Sequence, residues 1–296
     1  MNTNNGVQAS MSTRAKALLG IMAIALIIAS SASVSLLNSN SQLTKDNRAS
    51  ADRLQMNSIL EKGQMAVENE IQKVRDLTFD LALRLRATGL NGTLAREEIN
   101  HSLALNPYAI DILTFDEHGI VQAVEPEQYR DLEGVDLSGG NKTSELLLHN
   151  IPTMSNTFES RGIARGSGYA CPVFNGNGTF IGAVSTLYDV AALMNATLPI
   201  LTINTTFTWF SMQLDGTEIY DTDASQIGLN SLTDPNYTNF TQLTTLGWRS
   251  VNETSGHGTY SFVRDLDTQL VVSKECFWTT VGAEGIQWRL FLVHPL

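Results

Sequence analysis

The chain has 296 residues, of which 43% are apolar and 17% charged, a balance that supports one large core or two modest ones and excludes a disordered or fibrous chain. Its formal net charge is −11, and a surface of that sign repels phosphate backbones, which argues against nucleic acid as a partner. Two cysteines, Cys171 and Cys276, are too few to staple a fold of this size; they either pair, as export would permit, or stay as two buried thiols.

Arg14 and Lys16 are the only charges before Lys45. Between them and Lys45 lies the uncharged run Ala17 to Leu37, long enough to cross a bilayer, which needs about 20 apolar residues. The basic flank places the N-terminus in the cytoplasm and the bulk outside, so residues 1–44 are expected to be a cytoplasmic tip and transmembrane anchor. A cleaved signal peptide is the competing reading, because Ser30-Ser31-Ala32 resembles a small-residue cleavage site. Nine Asn-X-Ser/Thr acceptors all lie beyond this segment, at Asn91, Asn100, Asn141, Asn177, Asn195, Asn204, Asn236, Asn239 and Asn252. That bias fits an extracellular glycoprotein.

From Lys45 to Leu90 there is no proline, and Met56, Leu60, Val67, Ile71, Val74, Leu81 and Leu85 recur at multiples of three and four. This predicts one amphipathic helix whose apolar stripe meets either its own domain or a second copy. Two stretches then echo each other. Residues 110–138 hold two short strands about the turn Asp116 to Gly119, leading to Gly134, and residues 207–234 hold two about Asp215-Gly216, leading to Gly228. The first is followed by YACPVFNGNGTFIGAVSTLYDVAAL, residues 169–193, in which the doubled Asn-Gly supplies the positive φ of a tight hairpin and Asp189 caps a following helix. The second is followed by three antiparallel strands between Gly258 and Leu296. The expected fold class is α+β, with two PAS-like modules carrying antiparallel sheets after one long helix.

Catalytic and metal signatures are missing from the sequence: there is no Gly-x-Ser-x-Gly elbow, the five histidines are isolated, and no Cys-x-x-Cys occurs. Asp221-Thr-Asp223 resembles the start of a calcium loop but lacks the glycine and closing glutamate at the required spacing, and reads as two solvated turn carboxylates. The four tryptophans Trp209, Trp248, Trp278 and Trp288 read as core of the second module. The chain is not expected to be an enzyme and needs no cofactor or metal.

In GVDLS at 134–138, the hairpin ACPVFNGNGTFIGAVSTLYDVAAL at 170–193 and LDGTEIYDTDASQIG at 214–228, the chain resembles the double Cache family of extracellular sensors, across roughly residues 45–293. The resemblance implies a stalk helix at 45–93, a membrane-distal Cache module at 94–203 and a membrane-proximal one at 204–296, with a small ligand bound in the distal module beside the hairpin sheet. Carried over, that pocket gives Tyr129, Thr157, Glu159, Tyr169 and Cys171 as candidate ligand-binding residues. Tyr169 and Cys171 share one strand face, which is either pocket lining or packed core. Amino-acid-binding members carry an Arg-x-Trp-Tyr element after the DLS-like segment and an aspartate at the end of the hairpin's second strand. Here those places read GGNKTSE, residues 139–145, and Leu187. Loss of a bidentate carboxylate clamp and of one amine partner makes a neutral or cationic solute the expectation. Family members usually continue into a second membrane helix and an output domain, whereas this sequence stops eight residues after Trp288, so the expected partner is a second copy or a signalling receptor met through the stalk. A surface glycoprotein whose modules serve adhesion or assembly is the alternative reading.

Overall fold

The structure is a computed structural model that describes the backbone of residues 13–160, 164–263 and 270–296, and the side chains of residues 33–160, 165–263 and 270–296. Most of the run Ala17 to Leu37 therefore lies outside the described side chains; among the described residues no helix is long and apolar enough to cross a membrane. The chain divides into two units, residues 1–55 and 56–296. The first is helical from Thr13. The remaining description concerns the second.

Helix α1 (Thr13–Thr88) is followed by α2 (Thr93–Leu105) and strands β1 (Ala109–Asp116) and β2 (Val121–Glu125). Then come α3 (Asn141–His149), the short strands β3 (Thr153–Met154) and β4 (Phe158–Ser160), the hairpin β5 (Ala164–Phe174) and β6 (Phe180–Tyr188), and α4 (Val190–Thr197). The second half supplies β7 (Thr208–Gln213), β8 (Glu218–Asp221), α5 (Pro235–Thr238), α6 (Thr241–Asn252), β9 (Gly256–Val263), β10 (Val271–Val281) and β11 (Trp288–Pro295). Two antiparallel sheets result, one in the order β2-β1-β6-β5-β3 with β4 beside β5, the other β8-β7-β11-β10-β9. The expected α+β class and both sheets are thus present.

Local chemistry accounts for the turns. The Asp116 carboxylate accepts the N–H groups of His118 and Ile120, and Gly119 takes a φ of 85° that a side chain would resist. Asp215 and Gly216 repeat the device between β7 and β8. Asp189 caps α4 by accepting the Ala192 N–H at 2.9 Å.

Each sheet turns one face to α1. The stripe Met56, Leu60, Val67, Ile71, Val74, Leu81 and Leu85 is buried, and it shares one core with Tyr169, Cys171 and Val184 of the first sheet and Trp209, Trp288 and Leu290 of the second. Of the two occupants that the sequence allows for this stripe, its own domain is the one found. Three tryptophans are buried as expected, but Trp248 is 53% exposed because it sits on the solvent side of α6. Cys171 and Cys276 are unpaired and buried, in different sheets. All nine glycosylation acceptors are exposed.

At Gly63 α1 approaches the second sheet closely: a Cβ built there would meet the buried ring of Trp209 well inside contact distance. Overpacking of this kind costs about 1–3 kcal/mol, and the helix propensity regained on losing a glycine is only about 1 kcal/mol. Gly63→Leu should therefore destabilise the protein by about 2 kcal/mol, lowering the midpoint of thermal melting by about 4–8 °C at this size. Gly176→Ala, where nothing lies within 4 Å, should leave it unchanged.

Candidate ligand cavities

Because side chains alternate along a strand, the face of the first sheet away from α1 carries Asp111, Leu113 and Phe115 of β1, Gly168 and Ala170 of β5, and Ser185 and Leu187 of β6. α3 and the segment from Thr153 to Ser160 cover this face without filling it. A cavity of about 220 Å³ remains between them. That is the liquid volume of roughly seven waters, room for a solute of about seven to ten heavy atoms. The space exists because the strands place small residues, Gly168, Ala170 and Ser185, under the cover.

The lining carries both signs of charge. Asp111 is buried at 3% exposure, and Lys142 projects from the first turn of α3, its Nζ donating to Glu145 Oε2 at 2.8 Å. Hydroxyls of Thr143, Thr153, Ser155, Ser160 and Ser185 complete the polar groups, among apolar contacts from Leu113, Phe158 and Leu187. This is a mostly apolar concavity with a few convergent polar groups, the usual make-up of a small-molecule site.

The five residues expected from the sequence are not gathered round this cavity. Tyr169 and Cys171 occupy the opposite face of β5. There the Arg75 guanidinium lies 5.8 Å from the Tyr169 ring centre and binds Glu284 at 2.6 Å. Burial pushes the Tyr169 hydroxyl up to about 12 and the Cys171 thiol up to about 11, so both stay neutral. Of the two meanings open to that strand face, packed core is the one observed. Glu159 is exposed on β4, opposite Arg165. Thr157 is buried, and its N–H donates to Gln213 Oε1 of the second sheet at 2.6 Å. Tyr129 is half-buried in the short 3-10 helix Glu127–Leu132, which Arg130 pins to Glu125 at 2.6 Å. Their chain neighbours Leu132, Phe158 and Ser160 reach the cavity instead. Asp111, Lys142, Gly168 and Ser185, which line this cavity, were not among the expected residues; the small side chains alternating with Tyr169 and Cys171 were the available signal.

The second sheet has a comparable space on its own outer face, under α5 and α6, with a volume of about 110 Å³. Glu218, Asp221 and Asp223 line it together with Tyr237, Phe262 and Lys274. Asp221 was expected to be a solvated turn carboxylate. It is half-buried, and burial raises its pKa against the opposing pull of the Asp223 N–H, which it accepts. Glu218, at 3% exposure, is raised by burial and then by the charge of Asp221.

The comparisons with known proteins agree with this architecture. Residues 72–190 match the model of the family described as HK/GC/Chemotaxis protein-like, sensor domain. An extracellular ligand binding receptor from Desulfohalobium retbaense DSM5692 is similar at 27% identity and a TM-score of 0.67, over 81% of this chain and 40% of that one. This chain thus spans well under half the length of that relative. The sensory domain of the Campylobacter jejuni chemoreceptor Tlp3 is similar in fold at 13% identity and TM-score 0.61, over 86% of this chain and 97% of that one. So is the ligand binding domain of the Pseudomonas aeruginosa PAO1 amino acid chemoreceptor PctB in complex with L-Arg, at 14% identity and TM-score 0.56, over 82% and 94%. No curated protein sequence matches. The resemblance to the double Cache extracellular sensors holds.

The buried carboxylates set a pH dependence. Glu218 keeps a proton in the native state above its ordinary value near 4.5, where the unfolded chain has released it. The native state then binds more protons, so stability falls as pH rises from about 5 towards neutrality and beyond. Denaturant titrations across that range should show the fall in the ligand-free protein. Glu218→Gln should flatten it and raise stability at neutral pH.

Proposed function

We propose that the chain is a sensor exposed outside the cytoplasm that binds a small zwitterionic solute in the outer cavity of the first module, and is not an enzyme. The observation that carries this reading is the cavity of about 220 Å³ with a buried carboxylate and an ammonium group in one lining. The sequence led to a neutral or cationic solute because no arginine stands in GGNKTSE. Lys142 of that same segment reaches the cavity, so a cation is available for a carboxylate, as a point charge and without the bidentate fit of arginine. Asp111 is the group that would meet an ammonium. The PctB domain has L-Arg bound and a chemoreceptor CtaA domain from Pseudomonas fluorescens L-serine, and the cavity here suits the same class of molecule.

The domain plan fits this role: residues 94–203 form the ligand-binding module and residues 204–296 a second module on the same helix. Tyr129, Thr157 and Glu159 belong to the covering segments, which a bound solute would order, while Tyr169 and Cys171 lie under the sheet against α1. Ala17 to Leu37 is the membrane anchor, with the N-terminus cytoplasmic, on the strength of its uncharged run and basic flank. Exposure of every acceptor asparagine is consistent with a glycosylated extracellular body. The stalk part of α1 is the element through which a second copy or a signalling receptor would be met.

Gly168 offers a clean test, because a Cβ there would meet only Ser155 Oγ and Ser185 Oγ, both at 3.6 Å, and Val suits a strand. Gly168→Val should fill the cavity and leave melting unchanged. Calorimetry of the detergent-solubilised full chain with amino acids, amines and neutral metabolites should find amino acids the best ligands. Gly168→Val should weaken them at least about tenfold, and Lys142→Gln should weaken amino acids but not amines. Amino-acid binding indifferent to both substitutions would refute this site.

A further inference from the structure

The second cavity has a built-in charge imbalance. Glu218 Oε1 accepts from Ser231 Oγ at 2.6 Å, but Oε2 is buried with no hydrogen-bond donor. The Tyr237 hydroxyl donates to Gln226 Oε1 at 3.1 Å and lies close enough to the Glu218 carboxylate to stabilise its charge in part. A carboxylate oxygen left so in a dry site is costly unless a cation reaches it. Among the described residues that line the cavity, only one is a cation. Glu218 and Asp221 come from β8 and Asp223 from the turn after it; facing them are Tyr237 from α5, Tyr260 from β9 and Lys274 from β10. Among the described lining residues three carboxylates stand with one ammonium, that of Lys274, which lies 5.3 Å from the Phe262 ring centre.

We infer that the second module holds a small organic ammonium ion in this cavity, its N–H groups donating to Glu218 Oε2 and the Asp221 carboxylate and its carbons against Phe210, Tyr237 and Phe262. The volume of about 110 Å³ equals the liquid share of roughly four waters, which fits an ion of about three to five heavy atoms. Ring faces add cation–π attraction to the carboxylates. A bare metal ion is the poorer occupant: among the described residues no group of three or more His, Cys, Asp and Glu is arranged to hold one. The place in the fold supports a ligand as well. In both modules the space lies on the sheet face away from α1, under a helical cover. This site is separate from the zwitterion cavity and does not depend on it.

Binding needs Glu218 and Asp221 charged, and burial holds their protons to higher pH than usual, so it strengthens as pH rises and releases protons near neutrality. Calorimetry of the full chain with methylammonium, ethylammonium and ethanolammonium, with ethylene glycol as a neutral control, tests this. The expected result is saturable binding of at least one ammonium ion, about tenfold tighter at about pH 8 than at about pH 6 and with a heat that depends on the buffer's ionisation enthalpy. Glu218→Gln and Asp221→Asn keep the acceptors for Ser231 Oγ–H and the Asp223 N–H, so both should fold and both should weaken binding at least about tenfold. Gly168→Val should leave it unchanged. Absence of saturable binding by all three ammonium ions, or binding that persists in whichever carboxylate variants still unfold in one cooperative transition, overturns the inference.

Discussion

Everything in the second unit is arranged about the apolar stripe of α1. A single row of side chains from Met56 to Leu85 has to cover the inner faces of two sheets at once, and it does so by meeting Trp209 and Trp288 through its earlier turns and the hairpin sheet through its later ones. The contact is not only apolar. Thr78 Oγ1, in the middle of that core, shares a hydrogen bond of 2.8 Å with Thr186 Oγ1 of β6, and Gln64 Nε2 donates to the Thr280 carbonyl of β10. These bonds fix the rotation of the helix under each sheet, which a purely apolar seam would leave adjustable.

Once one face of each sheet is committed to α1, the period of two along a strand decides what the other face must do. In the first sheet that face carries glycine, alanine and serine, which cannot fill the gap to α3. In the second it carries larger side chains, Met212, Phe291 and Tyr260, and the remaining space is correspondingly smaller, about 110 Å³ against about 220 Å³. Difference in cavity size thus follows the volume of the side chains on the outer face of each sheet.

The fold was legible because its signals are local: Asp116 and Asp215 turns, the Asn175 to Gly178 hairpin and the Asp189 cap each close their own backbone bonds within a few residues. The site was legible only by region. Choosing Tyr169 and Cys171 over Gly168 and Ala170 meant choosing a strand face by its conspicuous residues, and conspicuous residues fill space, whereas a cavity is made by residues that do not. Lys142 was passed over because it is not arginine, although a cavity wall needs charge in the right place before it needs fork geometry. Asp221 looked solvated because an Asp-Thr-Asp run normally marks a turn; in the fold it is half-buried, which the local run does not reveal.

The same division of faces constrains how a bound solute could be felt elsewhere. A ligand in the outer cavity of the first module touches β1, β5 and β6 from one side, and the other side of those strands carries Tyr169 under the Arg75 guanidinium and Thr186 against Thr78. Arg75 also binds Glu284 in the turn between β10 and β11, and the Thr157 N–H binds Gln213 at the end of β7. Two routes therefore lead from the first cavity to the second sheet, one through α1 and one through the covering segment. A solute shifts an equilibrium only by its differential affinity for two states. A signal from this cavity would therefore need states that differ along one of these two links, at Arg75 on α1 or at Thr157 in the cover.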